Sequence, residues 1–213
     1  MRILNLYAGI GGNRKLWGDK HDITAIEINP AIAKIYQDFF QNDKVIITDA
    51  HQYLLEHFRE FDFIWSSPPC PTHSKINFMP HMQKLLRYPD MKLYEEIIFL
   101  KQWHKGKWIV ENVKSYYKPL ILPQETARHY FWSNFAITDF GITKKVRNDK
   151  GMTLAIKMEE RNMIVKDFHN YKGDKRTLLN NCIEPDLGLH ILQCASTTPQ
   201  PPPADCGNDK EGK

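Results

Sequence analysis

The sequence lacks the features typical of membrane proteins, disulfide-bonded scaffolds and metal sites. Its four cysteines are Cys70, Cys182, Cys194 and Cys206, and they form no CxxC pair. Neither a zinc knuckle nor a disulfide framework is therefore expected. No apolar run approaches the ~20 residues that cross a bilayer, and the N-terminus lacks the layout of a signal peptide. We expect a cytoplasmic protein with reduced thiols, no metal ion and no membrane partner.

Charge of either sign is not in large excess, but the basic residues are unevenly distributed. Residues 71–107 hold seven Lys/Arg and three Asp/Glu, and residues 137–176 hold ten and six. The rest of the chain is net acidic, because the total net charge is only +4. Two basic segments are typical either of binding to a polyanion or of two solvated lysine-rich loops, and charge alone leaves both interpretations open.

Short apolar runs alternate with amphipathic segments over the first 136 residues. This alternation predicts an α/β fold with a mostly parallel sheet and helices on both faces. Asn29 is expected to cap the first helix, and Tyr94, Ile97 and Ile98 are expected to face inward from the third. The predicted strands are RILNLYA, ITAIEI, KVIIT, FDFIW, KWIVENV and HYFWSNFAI, and the predicted helices are NPAIAKIYQDFF, HQYLLEHF and MKLYEEIIFLKQW.

A glycine turn, GIGG, directly follows the first predicted strand. Glycines let a backbone turn tightly and approach a ligand there. Glu27 ends the second strand, 18 positions after Gly9, and an acidic residue near that distance commonly binds ribose hydroxyls. Asp49 ends the third strand, where it could bind an adenine amine; either carboxylate could instead cap the following helix. The turn lacks the GxGxxG of redox cofactors, which favours S-adenosylmethionine.

Residues 66–71, SSPPCP, place a cysteine between prolines at the end of a predicted buried strand. Prolines stiffen the backbone and remove hydrogen-bond donors, so the turn is a rigid mount for a reactive group. Cys70 is therefore either a nucleophile or a buried structural cysteine, which is the common fate of an isolated one.

A carboxylate is predicted at the neighbouring strand end, because Glu111 and Asn112 follow the apolar run WIV. Carbon 5 of cytosine is too weak a nucleophile to attack a sulfonium methyl group. Addition of a thiolate at carbon 6 activates it, and an acid at ring nitrogen 3 stabilises the developing charge. Cys70 and Glu111 would supply these two groups, whereas a solvent-facing loop position is the alternative for Glu111.

The segments LYAGIGG, AIEINP, TDA, SSPPCP and VENV resemble, in order and spacing, the first motifs of the DNA (cytosine-5)-methyltransferase family, of a compact phage or prokaryotic type. QETARHYFWSNF is similar to the arginine-bearing motif of that family, and KRTLLNNCIEPDLGLHIL to its closing motifs. The resemblance covers about residues 2–193. It implies a Rossmann-like S-adenosylmethionine-dependent fold and methylation of carbon 5 of a flipped cytosine in double-stranded DNA through a covalent Cys70 adduct.

The resemblance also implies roles for individual residues. Glu111 would be the acid at the base, and Arg128 would bind the carbonyl of the base or the active-site loop. Glu27 would hold the ribose of the cofactor and Asp49 its adenine amine. The expected cofactor contacts are Tyr7, Ala8, Gly9, Gly11, Gly12, Glu27, Ile28, Asp49, Ala50, Pro68 and Asn181. The expected nucleic-acid contacts are Ser74, Lys75, Lys144, Lys145, Arg147, Lys175 and Arg176.

The sequence departs from the family pattern in three places. Thr126 replaces the first arginine of the arginine motif, so Arg128 must act alone or borrow help. Pro71 follows the nucleophile where glutamine is common. The recognition region is reduced to about residues 137–175, which leaves room for a hairpin or a loop. The segment after Cys70 is expected to form a mobile loop over the base, with His73 and His81 facing the loop or phosphates.

These considerations divide the chain into four parts. Residues 1–136 form the catalytic and cofactor-binding core, residues 137–175 a short basic target-recognition insert, residues 176–195 a return to the core, and residues 196–213 a disordered tail rich in proline and polar residues. The expected partner is double-stranded DNA, bound by a monomer in a prokaryotic cell or a phage-infected host. The biological role, such as restriction-modification, stays open.

Three other functions stay open at this point. They are cytosine-5 methylation of transfer RNA, methylation of an exocyclic nitrogen, and non-catalytic nucleic-acid binding. Amino-methyltransferases place an aromatic residue where this chain has Cys70, which argues against the second function. A non-catalytic module would need neither Cys70 nor Glu111.

Overall fold

The computed structural model describes residues 1–75, 88–141 and 153–197. In these ranges the chain forms one seven-stranded sheet and six α-helices. The strands are β1 (Arg2–Leu6), β2 (Asp22–Ile26), β3 (Lys44–Ile46), β4 (Phe63–Ser66), β5 (Lys107–Val113), β6 (Gln124–Thr126) and β7 (His129–Ser133). The helices are α1 (Pro30–Phe39), α2 (Ala50–His57), α3 (Lys92–Trp103), α4 (Leu154–Glu160), α5 (Lys175–Asn180) and α6 (Pro185–Thr197).

The strand order in the sheet is β3-β2-β1-β4-β5-β7-β6. Strands β1 to β5 pair in parallel, and β7 runs antiparallel to both β5 and β6. The carboxyl ends of the five parallel strands therefore meet at one edge, where ligands bind in sheets of this kind. The predicted α/β fold with a mostly parallel sheet is confirmed.

Both faces of the sheet are covered, because successive side chains of a strand point to opposite faces. Leu4 and Ile64 belong to one core cluster, with helices α2 and α3. Ile3, Phe63 and Trp65 belong to a second cluster, with helix α6. This burial on both faces explains why the parallel strands are continuous apolar runs in the sequence.

Helix α1 begins where the sequence predicts. The Asn29 side chain accepts hydrogen bonds from the amides of Ala31 and Ile32, and Pro30 occupies the first turn. In helix α3 the expectation for Ile98 was wrong, since this side chain is 59% exposed. Leu93, Tyr94, Ile97 and Leu100 form the buried stripe instead, and Ile98 lies beyond its margin. Over the described residues, no helix has the combined length and apolar character that a bilayer span needs.

The hairpin β6–β7 extends the sheet, and only its second strand was predicted. The two strands are joined by Ala127 and Arg128, and the backbone of Ala127 has a positive φ of 50°. Strand β7 pairs with β5 so that Glu111 lies opposite Phe131. This register decides which side chains of the arginine motif reach the strand end.

The described part of the predicted recognition insert contains helix α4 rather than the expected hairpin or loop. Met158, Met163 and Val165 are buried in a cluster that also contains Ile10 and Leu179. Apolar burial against the core therefore overrides the loop-like composition of this segment. Lys144, Lys145 and Arg147 lie outside the described residues, as does the tail after 197. Helix α6 ends at Thr197, so its last two residues fall within the predicted tail of residues 196–213.

Candidate active site

The glycine turn after β1 is shaped by close packing at two positions and is open at a third. A side-chain carbon at Gly11 would lie 2.3 Å from the Phe40 ring, and one at Gly12 would lie 2.5 Å from the Ile183 carbonyl. Gly9 has a φ of 55° and no heavy atom within 4 Å of the corresponding point. Gly11 and Gly12 thus allow contacts within the protein, whereas Gly9 leaves backbone available to a ligand.

Glu27 braces this turn from the end of β2. Its Oε2 accepts a hydrogen bond from the Gly9 amide at 3.0 Å, and its Oε1 accepts one from the Asn29 amide at 2.9 Å. Burial raises the pKa of the Glu27 carboxyl, and the bonds from these amides partly oppose that rise. Beside it, Ile28 presents an apolar side chain that is 66% exposed. The two residues offer a carboxylate and an apolar surface next to the open Gly9.

Asp49 caps helix α2, because its Oδ1 accepts a hydrogen bond from the Gln52 amide at 2.8 Å. Asp49 therefore caps helix α2, as the alternative interpretation expected, and it can still belong to the site. The same residue lines a cavity of about 100 Å³. The lining residues are Tyr7, Asp49, Pro68, Pro69, His73, Asp90, Lys92 and Leu93. The structure thus brings Tyr7, Asp49 and Pro68 together, while Ala8 and Ala50 are buried behind them.

The SSPPC turn is fastened to the ENV segment. The Asn112 amide donates to the Pro68 carbonyl at 3.0 Å, and Ser66 pairs with Val110 in the sheet. The Cys70 carbonyl then accepts the amides of His73 and Ser74, both at 3.0 Å, which closes a turn directly after the cysteine. The rigid mount expected from the two prolines is therefore also held from the neighbouring strand.

Cys70 is half-buried, and two effects raise the pKa of its thiol. Burial is the larger, and the negative charge of Glu111 is the second. The structure therefore brings Cys70 and Glu111 close enough to interact electrostatically. This arrangement favours a protonated thiol in the free protein.

The side chain that contacts Glu111 is His129, not Arg128. His129 Nδ1 lies 2.8 Å from Glu111 Oε1, and both side chains are at least 88% buried. Arg128 instead donates from its guanidinium to Glu184 at 2.6 Å, and Glu184 is 3.6 Å from Arg161. The expected role of Arg128 at the base stays a prediction, and in this arrangement the hairpin turn directs its side chain to the closing segment. Sequence reasoning missed His129.

His73 lies in the loop after Cys70, which is one of its two expected settings, and it is buried. The residue is only 1% exposed. Its Nδ1 lies 2.6 Å from the hydroxyl oxygen of Tyr117. Burial lowers the pKa of His73. Through this contact and the pairing of Ser74 with Ser115, the chain after Cys70 is attached to the chain after ENV. His81 lies outside the described residues.

The described candidates for nucleic-acid contact lie in two segments of the chain. Ser74 and Lys75 lie close to Cys70 in the chain, and Lys75 is exposed. Lys175 and Arg176 are exposed on α5, where the Lys175 ammonium lies 4.4 Å from the centre of the Phe168 ring. Asn181, at the end of α5, is exposed and precedes the Cys182–Ile183 segment that touches Gly12.

A second buried carboxyl group, which sequence reasoning also missed, lies beneath the two turns. Glu96 of α3 is fully buried and receives the Tyr7 hydroxyl at 2.6 Å, the Ser66 hydroxyl at 2.5 Å and His51 Nδ1 at 3.0 Å. The signal in the sequence was a charged residue inside the apolar stripe of α3, because Glu96 directly precedes the buried Ile97.

The donor groups fit an adenosine cofactor and do not suggest a metal ion. Among the described residues, no group of three or more metal-ligating side chains occurs. The open Gly9, the Glu27 carboxylate and the Asp49 cavity supply the polar partners that an adenosine needs. The cavity is smaller than the roughly 300–1,000 Å³ of most ligand pockets, so a bound cofactor would also extend over the surface at Gly9 and Ile28.

The strand order and the acidic residues after β2 and β3 define a Rossmann-like methyltransferase fold. Residues 1–129 match the family of C-5 cytosine-specific DNA methylases. Since the match covers more than half of the chain, the protein belongs to this family.

Solved structures of similar fold share little sequence with this chain. A triple mutant of DNMT2 from Spodoptera frugiperda is 20% identical with a TM-score of 0.43, and the match covers 78% of this chain and 60% of that one. A protein encoded in a prophage of E. coli and assigned as a DNA modification methyltransferase is 16% identical with a TM-score of 0.43, covering 74% and 54%. The methyltransferase EhMeth of Entamoeba histolytica is 12% identical with a TM-score of 0.40, covering 87% and 82%. No curated protein matches the chain.

Proposed function

We propose that this protein transfers a methyl group from S-adenosylmethionine to carbon 5 of a cytosine in double-stranded DNA, through a transient bond between Cys70 and carbon 6. The observation that carries the proposal is the junction of the two segments: the bond from Asn112 to Pro68 fixes the Cys70 turn beside the strand end of Glu111, whose charge raises the pKa of the Cys70 thiol. A nucleophile and an acid on neighbouring strand ends are what this chemistry requires. Membership in the cytosine-5 family supports the same reaction.

The residues of the chain would divide the work as follows. Glu27 and Asp49 hold the ribose and the adenine of the cofactor, with Tyr7, Gly9, Ile28 and Pro68 around them. Bound S-adenosylmethionine supplies an electrophilic methyl group. The Cys70 thiol would lose its proton to solvent, and the thiolate would bond to carbon 6. The C5=C6 electron pair then shifts to C5=C4, and the C4=N3 pair takes a proton from Glu111. After methylation, water removes the proton from carbon 5, the sulfur leaves as thiolate, and nitrogen 3 returns its proton to Glu111.

A duplex base is not accessible to a half-buried thiol, so the target cytosine would be flipped out of the helix. The exposed Lys75, Lys175 and Arg176 would contact phosphates, which position a protein on DNA without reading bases. Residues 137–175 would serve as a reduced recognition segment, next to the core of residues 1–136 and the return of residues 176–195.

Covalent trapping tests the proposal. The protein is incubated with S-adenosylmethionine and long mixed-sequence duplex DNA in which 5-fluorocytosine replaces cytosine. Fluorine at carbon 5 cannot be removed as a proton, so the enzyme should remain bonded to the base through Cys70. We expect a complex that survives denaturing electrophoresis and a modified Cys70 peptide in mass spectrometry. Cys70→Ala should give no adduct, and Cys206→Ser, a matched loss of another thiol, should behave like the wild type.

The same experiment separates the alternative functions. An adduct with a 5-fluorocytidine transcript but not with DNA would replace DNA by RNA as the substrate. Methyl transfer to unmodified DNA without a trapped adduct would indicate an exocyclic nitrogen as the acceptor. Binding of nucleic acid with neither methyl transfer nor adduct would identify a non-catalytic module, and the proposal would then be abandoned.

A further inference from the structure

The Glu111 carboxyl has a partner that neither the family match nor the sequence assigns. His129, the first residue of β7, places Nδ1 2.8 Å from Glu111 Oε1. The His129 side chain is 12% exposed and that of Glu111 is 9% exposed. Because both groups are largely removed from water, their contact is worth more than a surface pair of the same length.

The position of His129 follows from the sheet. Strands β5 and β7 are antiparallel, with Glu111 opposite Phe131 and Val113 opposite His129. His129 is thus the diagonal neighbour of Glu111 on the same face, within reach of a long side chain. Its ring is also stacked on Phe131, with centroids 6.1 Å apart and an angle of 20° between the planes. The orientation of the imidazole is therefore fixed from two sides.

Arg128 is engaged elsewhere. Its guanidinium lies 2.6 Å from Glu184, a carboxylate whose pKa is lowered overall: burial alone would raise it, but a backbone hydrogen bond and the charges of Arg161 and Arg128 outweigh burial. Thr126, the position at which the sequence lacks an arginine, bonds to Asp139 at 3.2 Å. In the described hairpin β6–β7, the group at Glu111 is consequently an imidazole and not a guanidinium.

We infer that His129 is a positioning residue that orients Glu111 and balances its charge while Glu111 exchanges a proton with ring nitrogen 3 of the cytosine. This inference rests on the proposed function. With Oε1 held by His129, Oε2 is the oxygen that faces the base. When Oε2 gives its proton to nitrogen 3, the carboxylate that forms accepts the hydrogen bond of His129 Nδ1–H on Oε1. The proton returns to Oε2 when the sulfur leaves carbon 6, so His129 gains and loses nothing over the cycle.

The contact also reaches the nucleophile. Among the described residues, Glu111 is the charged group that raises the pKa of Cys70, after burial. A hydrogen bond or positive charge from His129 on Glu111 offsets part of that effect. Removal of His129 should therefore make the Cys70 thiolate harder to form as well as misorient the acid.

A double-mutant cycle tests the inference by two readouts. The variants are His129→Ala, Glu111→Gln and the pair, with His57→Ala as a matched loss of a histidine that also contacts a glutamate. The first readout is the rate of adduct formation with 5-fluorocytosine DNA. We expect His129→Ala to slow it by about a hundredfold, near the lower end of general-acid effects, and to add almost nothing to Glu111→Gln.

The second readout needs no substrate. It is the rate of Cys70 alkylation by iodoacetamide as a function of pH, followed by mass spectrometry of the Cys70 peptide. His129→Ala should shift the pH midpoint upward when Glu111 is present and leave it unchanged in the Glu111→Gln background. His57→Ala should match the wild type. Thermal unfolding shows whether each variant is folded, and His129→Gln, which keeps an N–H donor, serves if the alanine variant is not; it should lose less than alanine.

The outcomes separate the inference from the proposed function. If the wild type forms the adduct and His129→Ala forms it equally fast, or the two losses simply add, the inference is overturned and the function stands. If the wild type forms no adduct with DNA or RNA, the proposed function fails. The coupling of His129 to Glu111 is then judged from the pH midpoint of Cys70 alkylation alone. A midpoint shift that depends on Glu111 then supports the coupling, and equal midpoints overturn it.

Discussion

At the scale of single residues, the surroundings of Cys70 favour the protonated form of its thiol. Burial and the charge of Glu111 both raise its pKa. A protonated thiol is slow to oxidise and slow to react with adventitious electrophiles.

The charge effect can be measured by removing it. Glu111→Gln eliminates the negative charge and keeps the shape, so the pKa of Cys70 should fall and the pH midpoint of its alkylation should move downward. Adduct formation should be much slower in the same variant, because the acid is gone. Glu125→Gln is the control, since Glu125 lies on β6 with its side chain 54% exposed and pairs with Lys114. An unchanged midpoint in Glu111→Gln would show that burial alone sets the pKa of the Cys70 thiol.

The sequence was sufficient for some of these residues and insufficient for others. Cys70 and Glu111 each lie at the end of an apolar strand, and ends of adjacent parallel strands meet by topology. His129 could not be predicted, because its contact depends on the register of β7 against β5 and no local pattern specifies that register. The same register places Arg128 in the hairpin turn, where it bonds to Glu184.

At the scale of elements, helix α3 joins the two turns of the site through Glu96. Tyr7 follows β1, Ser66 ends β4 and His51 lies in the first turn of α2, and all three bond to this one buried carboxyl group. Tyr7 also has a backbone φ of 55°, which costs energy for a residue with a side chain. The hydrogen bond from its hydroxyl to Glu96 is a contact that holds this conformation beside Gly9.

Glu96→Gln is therefore expected to affect both stability and cofactor binding. The amide cannot accept all three bonds, so the free energy of unfolding should fall by about 1–3 kcal/mol. Affinity for S-adenosylmethionine should fall as the Tyr7 turn relaxes. Urea unfolding and calorimetric titration measure the two effects. Glu95→Gln, one position earlier and 59% exposed at the side chain, is the matched control, and equal results for both variants would contradict a structural role of Glu96.

The stability effect should depend on pH in a defined direction. The hydrogen bond to Glu96 raises the pKa of His51; burial and the charge of Lys92 oppose this rise, and the charges of Glu96 and Glu95 add to it. A raised pKa contributes stability that is fully present below the ordinary histidine value of about 6.5 and is lost as pH rises through the raised value. The difference between the wild type and Glu96→Gln should therefore be larger near pH 5.5 than near pH 8.

The elements themselves were predictable to different degrees. Strands β1 to β5 and helices α1 to α3 carry clear periodicity and cap signals such as Asn29. Helix α4 is short, and its buried apolar side chain packs in a cluster with Ile10 and Leu179. Its apolar face could therefore be recognised only once these packing partners were known. Glu96 was missed because its burial can be explained only once its three hydrogen-bonding partners, Tyr7, Ser66 and His51, are known.

At the scale of the whole molecule, the C-terminal part of the described chain packs on the glycine turn. The Trp17 indole donates to the Gly188 carbonyl at 3.1 Å, and Gly12 lies against Ile183. Glu184 pairs with both Arg128 and Arg161. Trp17 and Gly188, which are separated by more than 150 positions in sequence, thus support one another. The closing segment packs on the glycine turn although it carries neither Cys70 nor Glu111.

Gly188 gives this packing a sharp test. In the interior of a helix, Gly→Ala ordinarily stabilises by about 0.5–1 kcal/mol. At Gly188 of α6 the new carbon would lie 2.3 Å from the backbone carbonyl oxygen of Asn13, and backbone cannot move aside as a flexible side chain can. We therefore expect Gly188→Ala to destabilise by about 1–3 kcal/mol and to weaken binding of S-adenosylmethionine, as α6 moves away from the turn. Gln193→Ala, at an exposed position of the same helix, should leave both quantities nearly unchanged. A stabilised Gly188→Ala variant with normal cofactor affinity would mean that α6 does not pack on the glycine turn in solution.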